Sequence, residues 1–316
     1  MKTEMSPTPI LFDRALLRAR RRRAETLGPA TFLLDRAAAE LSDRLGSVLR
    51  RFDIAVDLGT PGNQLRESLA GNNKIGTLIT VGPLAHELSL PGLRGRAGEG
   101  VRAANLAIAA DEEALPFRDA SLDLVVSALA LHLVNDLPGA LVQIRRALKP
   151  DGLFLAALLG GDTLTELRQA FAEAEIEIDG GMSPRVAPFP DLRDLGALLQ
   201  RAGFALPVAD VDRVTVRYAS VFALMHDLRR MGAANALTER CRLPLRRKTL
   251  MRMAEIYTRR FADADGRLRA TFEIVWLSGW APDESQQKPL APGSAKMRLA
   301  DALGTTEVSA GEKAGK

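Results

Sequence analysis

Five short apolar runs, each closed by a turn signal, punctuate the first half of the chain: residues 54–59 (IAVDLG), 76–81 (GTLITV), 104–110 (ANLAIAA), 122–127 (LDLVVS) and 153–159 (LFLAALL). Helical periodicity lies between them, most clearly over residues 137–148 (LPGALVQIRRAL), which Pro150-Asp151-Gly152 closes. Strands apolar on both faces, alternating with helices, predict a parallel sheet covered on both sides. Ligands of such sheets bind at the carboxyl ends of the strands, near the switch in strand order. Ahead of the first strand, residues 14–23 read as a basic helix with Leu11, Phe12, Ala15, Leu16 and Ala19 on its apolar face, and residues 29–50 as a second amphipathic helix with Pro29 at its start. Beyond residue 160 the pattern gives helices over 163–176, 192–202, 221–231 and 246–261, and a strand pair over 209–218 and 270–280, where aromatic and β-branched residues gather. From residue 283 the chain turns to Pro, Gly, Ser, Gln and Lys and reads as a mobile tail. The expected organisation is N-terminal helices over 1–50, one α/β domain over 51–282 and a tail over 283–316.

With 47% of its 316 residues hydrophobic, the chain has ample material for a packed core. Nowhere is there a charge-free apolar run long enough to cross a bilayer, so no transmembrane segment is expected. The single cysteine, Cys241, excludes a disulfide framework, and three histidines leave little for a metal centre, so no metal is expected. The net charge of +4 is mild and rests mainly on arginine, a composition that points to a GC-rich genome before a nucleic-acid surface. The run RALLRARRRR reads as a solvated basic face or, functionally, as a lid or a contact for an acidic partner, and the first is the simpler. Asp13 and Glu25 flank the run, which argues against a transit peptide, and no secretory signal precedes it. The expected location is the cytoplasm of a bacterium.

The loop after the first strand carries the most chemistry. A strand ending in Asp-x-Gly-x-Gly-x-Gly opens a nucleotide pocket, because the glycines let the backbone approach the ligand and turn into a helix. Here the run is Asp57-Leu58-Gly59-Thr60-Pro61-Gly62-Asn63, with only the first glycine of that spacing in place. Pro61 removes an amide donor, and Asn63 replaces a glycine. The second strand ends Thr80-Val81-Gly82-Pro83, without the acid that would accept hydrogen bonds from a ribose. The contacts of a nucleotide-binding sheet are therefore eroded. Two contact points survive. Asp111 and Glu112 follow the third strand, where Asp111 has two readings of equal weight, acceptor for an adenine amine or helix cap. His132 follows the fourth strand at the expected rim, where a structural role is the commoner one.

The segment 122–127, then His132, Asn135-Asp136-Leu137-Pro138 and Leu148-Lys149-Pro150-Asp151-Gly152, resembles the class I S-adenosylmethionine-dependent methyltransferases. Motifs beyond the shared sheet are similar to those of the arginine-hydroxylating assembly factors of respiratory complex I. They include Leu11-Phe12-Asp13-Arg14, Gly160-Gly161-Asp162-Thr163-Leu164 with Glu166-Leu167-Arg168, Met182-Ser183-Pro184, Arg201-Ala202-Gly203-Phe204, Gly279-Trp280 and Pro292-Gly293-Ser294-Ala295. A more distant likeness is to the malonyl-carrier-protein methyltransferases of biotin synthesis. The resemblance implies a Rossmann-like class I methyltransferase fold with N-terminal helices and helical insertions. It also implies an S-adenosylmethionine pocket at Asp57, Gly59, Asp111, Glu112, Leu129 and His132, and a protein subunit of complex I as partner, met at Gly160, Gly161, Asp162 and Arg168. The departures at Pro61, Asn63 and Gly82, and Leu133 where the family has tryptophan, imply a cofactor site weakened or lost. Three functions stay open: a transferase or arginine hydroxylase, a non-catalytic assembly factor, and a carrier-protein methyltransferase.

Overall fold

The computed structural model describes residues 10–83, 104–287, 294 and 297–306. The Pro292-Gly293-Ser294-Ala295 motif falls mostly outside them, as do residues 84–103 between the second and third strands. Two compact units form, residues 1–282 and 283–316.

The larger unit is built on one seven-stranded sheet: β1 (Phe52–Leu58), β2 (Ile75–Gly82), β3 (Ala104–Ala109), β4 (Leu122–Ala128), β5 (Leu148–Leu159), β6 (Ala205–Tyr218) and β7 (Leu268–Trp280). The spatial order is β3-β2-β1-β4-β5-β7-β6. The first five strands are parallel, and β7 runs antiparallel between β5 and β6. The switch in order lies between β1 and β4, where chain connections leave in opposite directions and a crevice opens at the carboxyl ends.

The described residues form nine α-helices, of which all but α3 and α9 stand where the periodicity put a helix: α1 (Arg14–Thr26), α2 (Phe32–Gly46), α3 (Gln64–Leu69), α4 (Leu137–Ala147), α5 (Thr165–Asp179), α6 (Leu192–Arg201), α7 (Val221–Arg230), α8 (Arg247–Phe261) and, in the smaller unit, α9 (Leu299–Leu303). On one face of the sheet Leu141 and Ile144 of α4 and Leu195 and Leu199 of α6 close over Val56, Val125 and Phe154. On the other, Leu41 and Leu45 of α2 and Leu65 of α3 cover Phe52, Leu78 and Leu124. A third cluster joins α5, α7 and α8 through Leu167, Phe171, Leu224, Met253 and Tyr257 to Phe272 of β7.

Among the departures from the sequence pattern, three bear on the site. The second helix begins at Phe32, three residues after Pro29, and ends at Gly46. β5 takes in Pro150-Asp151-Gly152, with Asp151 at φ +58° and a register shift against β4 between Leu122 and Leu124. The buried face of α1 is Leu17, Arg21 and Ala24, with Ala15 and Ala19 exposed. That face is turned because α1 is clamped at several points. The amide of Asp13 donates to the carbonyl of Ala236 (2.8 Å), Phe12 bridges to Leu237, and the Arg21 backbone lies 3.2 Å from where a Cβ on Gly232 would stand. In the smaller unit the composition suggested only a mobile tail, yet α9 forms there, ended by Gly304 at φ +63°.

Candidate functional site at the carboxyl ends of the strands

Asp57 is the penultimate residue of β1, and its carboxylate is buried with neither oxygen hydrogen-bonded among the described residues. Burial pushes its pKa up to about 7, against the opposing influence of the Thr60 hydroxyl and the Arg66 charge. Arg66, on α3, is also buried; one of its guanidinium nitrogens binds Asn63 and the other has no partner. The turn after β1 is stitched to β4: the Ser127 hydroxyl donates to the Leu58 carbonyl (2.7 Å), and the Ala128 amide donates to the Thr60 hydroxyl (3.0 Å). The two positive-φ residues of the turn are Gly59 (+69°) and Gly62 (+73°). Gly62 thus supplies the left-handed residue, although it stands at neither glycine position of the expected spacing.

The space above Gly59 is taken by the chain itself. A Cβ built there would lie 2.6 Å from Cγ and 2.7 Å from Oε1 of Glu112. Glu112 is 1% exposed and sits between two cations of α1. Arg14 binds Glu112, donates to Asp111 at 2.9 Å and to the Leu133 carbonyl at 3.1 Å, and a nitrogen of Arg21 lies 3.8 Å from Glu112. The third acid of the run, Glu113, accepts from the Asn135 amide (2.6 Å). The Asn135 side chain in turn accepts from the Phe12 amide (2.7 Å) and so pins the start of α1. The basic helix meets an acidic partner, and that partner lies in the same chain.

His132 sits in a 3₁₀ turn, Leu131–Leu133, after β4. Its Nδ1 accepts from the Leu159 amide (3.4 Å), and its ring packs on Phe189 with centroids 5.7 Å apart. Burial, aided by the Arg21 charge, pushes its pKa down to about 3. The imidazole is therefore neutral and a poor base. Leu129, at φ +51°, donates its amide to Ala157 and holds the wall between the two.

The residues after β5 form a brace onto β7. Gly160 donates its amide to the Glu273 carbonyl (2.8 Å), and a Cβ on it would strike Glu273 and, at 2.8 Å, Val275. Arg168 donates to the carbonyls of Gly161 (3.3 Å), Thr163 (3.3 Å) and Ala187 (3.4 Å). Glu166 accepts from the hydroxyl (2.6 Å) and amide (3.1 Å) of Thr271. Asp162 pairs with Arg213, and its side chain is 50% exposed.

A cavity of about 700 Å³ lies beside these elements, walled by α1, the start of α2, the ends of β4 and β5, α5 and the segment 225–245. Of the sequence-predicted cofactor residues Leu129 and His132 line it, while Asp57, Gly59, Asp111 and Glu112 are not part of its wall. The cavity residues missed from sequence, Arg20, Phe171, Arg240 and Phe272 among them, come from four separate segments of the chain. Only the density of arginine in α1 hinted at them. Among the described residues no three histidine, cysteine or acidic side chains gather as metal ligands, and no helix is long and apolar enough to cross a membrane.

The sheet order is that of the class I methyltransferase fold, and the similarities agree. Residues 57–156 match the model of a methyltransferase domain. The mitochondrial arginine-hydroxylase NDUFAF5 of Danio rerio is 38% identical over 92% of this chain and 89% of its own. A malonyl-[acyl-carrier protein] O-methyltransferase of Gallionella capsiferriformans is 33% identical over 86% of this chain and 92% of its own. A Bacillus halodurans structure described as a methyltransferase superposes with a TM-score of 0.54 at 15% identity, covering 78% of this chain and 99% of its own, a likeness of fold. The expected bacterial cytoplasm is overturned by these relatives, since the NDUFAF5 proteins matched over more than nine-tenths of the chain, from fish to human, are mitochondrial. The chain belongs to the methyltransferase-domain family that contains the arginine-hydroxylase NDUFAF5 proteins and, at greater distance, the malonyl-[acyl-carrier protein] O-methyltransferases.

Proposed function

We propose that this protein is an assembly factor that holds a protein subunit of respiratory complex I, and that its S-adenosylmethionine end is filled by its own side chains. The observation that carries the second part is the buried Arg14–Glu112–Arg21 cluster lying against Gly59. A nucleoside bound in this fold needs the space over that glycine, an acceptor for the ribose at the end of β2 and a free acid after β3. Glu112 takes the first, Gly82 leaves the second without a carboxylate, and Arg14 engages Asp111. The orphaned carboxylate of Asp57 is the one group still suited to a cationic ligand. Three of these four features oppose the cofactor, so no chemical step is routed through it. Absence of the ribose contact alone weakens binding by about 1.5–3 kcal/mol, ten- to a hundredfold. The support for the first part is relatedness to the NDUFAF5 proteins over nearly the whole chain. On this reading the subunit docks at the edge after β5, on Gly161 and the half-exposed Asp162.

Calorimetric titration with S-adenosylmethionine tests the cofactor reading: the expected result is no binding tighter than about 100 μM, and low-micromolar binding overturns it. Deletion of the gene in its host tests the partner reading. The strain is expected to lose assembled complex I and NADH oxidation, to recover with the wild-type gene, and to recover poorly with Asp162→Arg at normal protein level. Normal complex I in the deletion strain overturns the partner; full recovery with Asp162→Arg overturns the surface.

A further inference from the structure

The 700 Å³ cavity has a charge that the fold does not need. Seven arginines line it, against the single carboxylate of Glu25. Four of them meet carboxylates: Arg21 with Glu112, Arg185 with Glu175, Arg230 with Asp227 and Arg240 with Asp13. The other three, Arg20, Arg229 and Arg242, form no ion pair among the described residues. Arg20 is half-buried, donates to the Asn235 carbonyl and faces Arg240, so two guanidinium groups share one stretch of wall. Burial and the Arg240 charge lower the pKa of Arg20 by more than the Asp13 carboxylate raises it, and that one carboxylate also faces Arg240 and Arg242, so three cations share a single counter-charge. Opposite this rim the lining is apolar, with Leu164, Leu167, Phe171, Met225, Leu228 and Phe272. These last side chains also belong to the packed cluster under α5, α7 and α8, so the apolar floor is rigid.

A cationic rim over an apolar floor, in a volume within the usual 300–1,000 Å³ of small-molecule sites, selects an amphipathic acid. We infer that the cavity binds a small molecule with an anionic head, carboxylate or phosphate, on an apolar chain, the head at Arg20 and Arg242 and the chain between Leu167 and Phe272. The same electrostatics disfavours a guanidinium or ammonium ligand. The cavity of this chain is therefore unsuited to an arginine side chain, in contrast to what the names of its mitochondrial relatives say of them. This site is independent of the complex I proposal: it needs neither the partner nor the edge after β5.

The test uses the full-length protein and three probes of one chain length, each below its critical micelle concentration: dodecanoate, dodecyl phosphate and dodecyltrimethylammonium. Calorimetry is expected to show one-to-one binding of dodecanoate or dodecyl phosphate, at least tenfold tighter than the ammonium, and the tighter of the two anions identifies the head. The Arg20→Gln, Arg242→Gln variant, with both changes at positions that are not fully buried, is expected to weaken the anion at least tenfold and leave the thermal midpoint within a few degrees. The Ala234→Trp variant, which narrows the cavity from a half-buried position, is expected to weaken the anion as well. Equal binding of anion and cation, no anion binding at 1 mM, or anion binding unchanged in the double arginine variant each overturns the inference.

Discussion

At the scale of single residues, the two buried titratable groups on either side of the β1–β4 switch pull stability in opposite directions with pH. Asp57 holds its proton in the folded chain up to about pH 7, whereas its ordinary value is 3.8, so between those limits the folded state binds more protons than the unfolded. Stability from this group is therefore lost as pH rises from about 4 to 7. His132 is the reverse case, about 3 when folded against 6.5 when free, so the unfolded chain binds more protons and stability rises with pH over that range. Asp57→Asn removes the first influence. It is expected to raise stability at pH 8 by about 2–4 kcal/mol, with little change at pH 4, as read from urea unfolding at both pH values. A smaller gain at pH 8 than at pH 4 contradicts the assignment. Glu112 is held by cations instead. Glu112→Ala leaves Arg14 and Arg21 short of a buried counter-charge and is expected to cost about 3–5 kcal/mol. The Arg14→Ala, Glu112→Ala double variant is expected to lose less than the sum of the singles, a coupling of about 1–3 kcal/mol in a double-mutant cycle.

Elements were legible in the chain wherever burial on both faces wrote a continuous apolar run. β1 to β5 are found at the predicted places for that reason, and the aromatic pair at β6 and β7 likewise. The fate of α1 was not legible. Its periodicity is nearly uniform in arginine, and which stripe is buried is decided by Glu112, Asn135 and Gly232, all far along the chain from α1, for which helical periodicity has no signal. The damaged glycine loop was legible from Pro61 and Gly82, but the way the vacated space is filled was not, because Glu112 reads locally as a cap. The brace after β5 shows the same gap: the motif residues 160–168 stood out in sequence, while their attachment to Thr271 and Glu273 of β7 is a matter of topology. Gly160→Ala is expected to destabilise by about 1–3 kcal/mol, since the added methyl must displace Val275 and Glu273. Gly161→Ala, where the nearest atom would be 3.9 Å away, is expected to be near neutral, and the difference between the two thermal midpoints measures it.

For the whole molecule, the sheet order sets the sequence of assembly. β7 is the last strand to leave the ribosome, yet it occupies an interior lane with β5 on one side and β6 on the other. Until residue 280 has emerged, β5 ends in an open hydrogen-bonding edge, and the fourteen residues of β6 have no lane to join. A chain stopped at Phe261 therefore lacks the strand that holds Phe272, Val275 and Leu277 in the core, and is expected to give no cooperative unfolding transition in urea. Nascent chains of this protein thus carry two unsatisfied edges from the completion of β6 at Tyr218 until Trp280 has emerged, which makes them natural clients for a holding chaperone until the final strand slides between its neighbours.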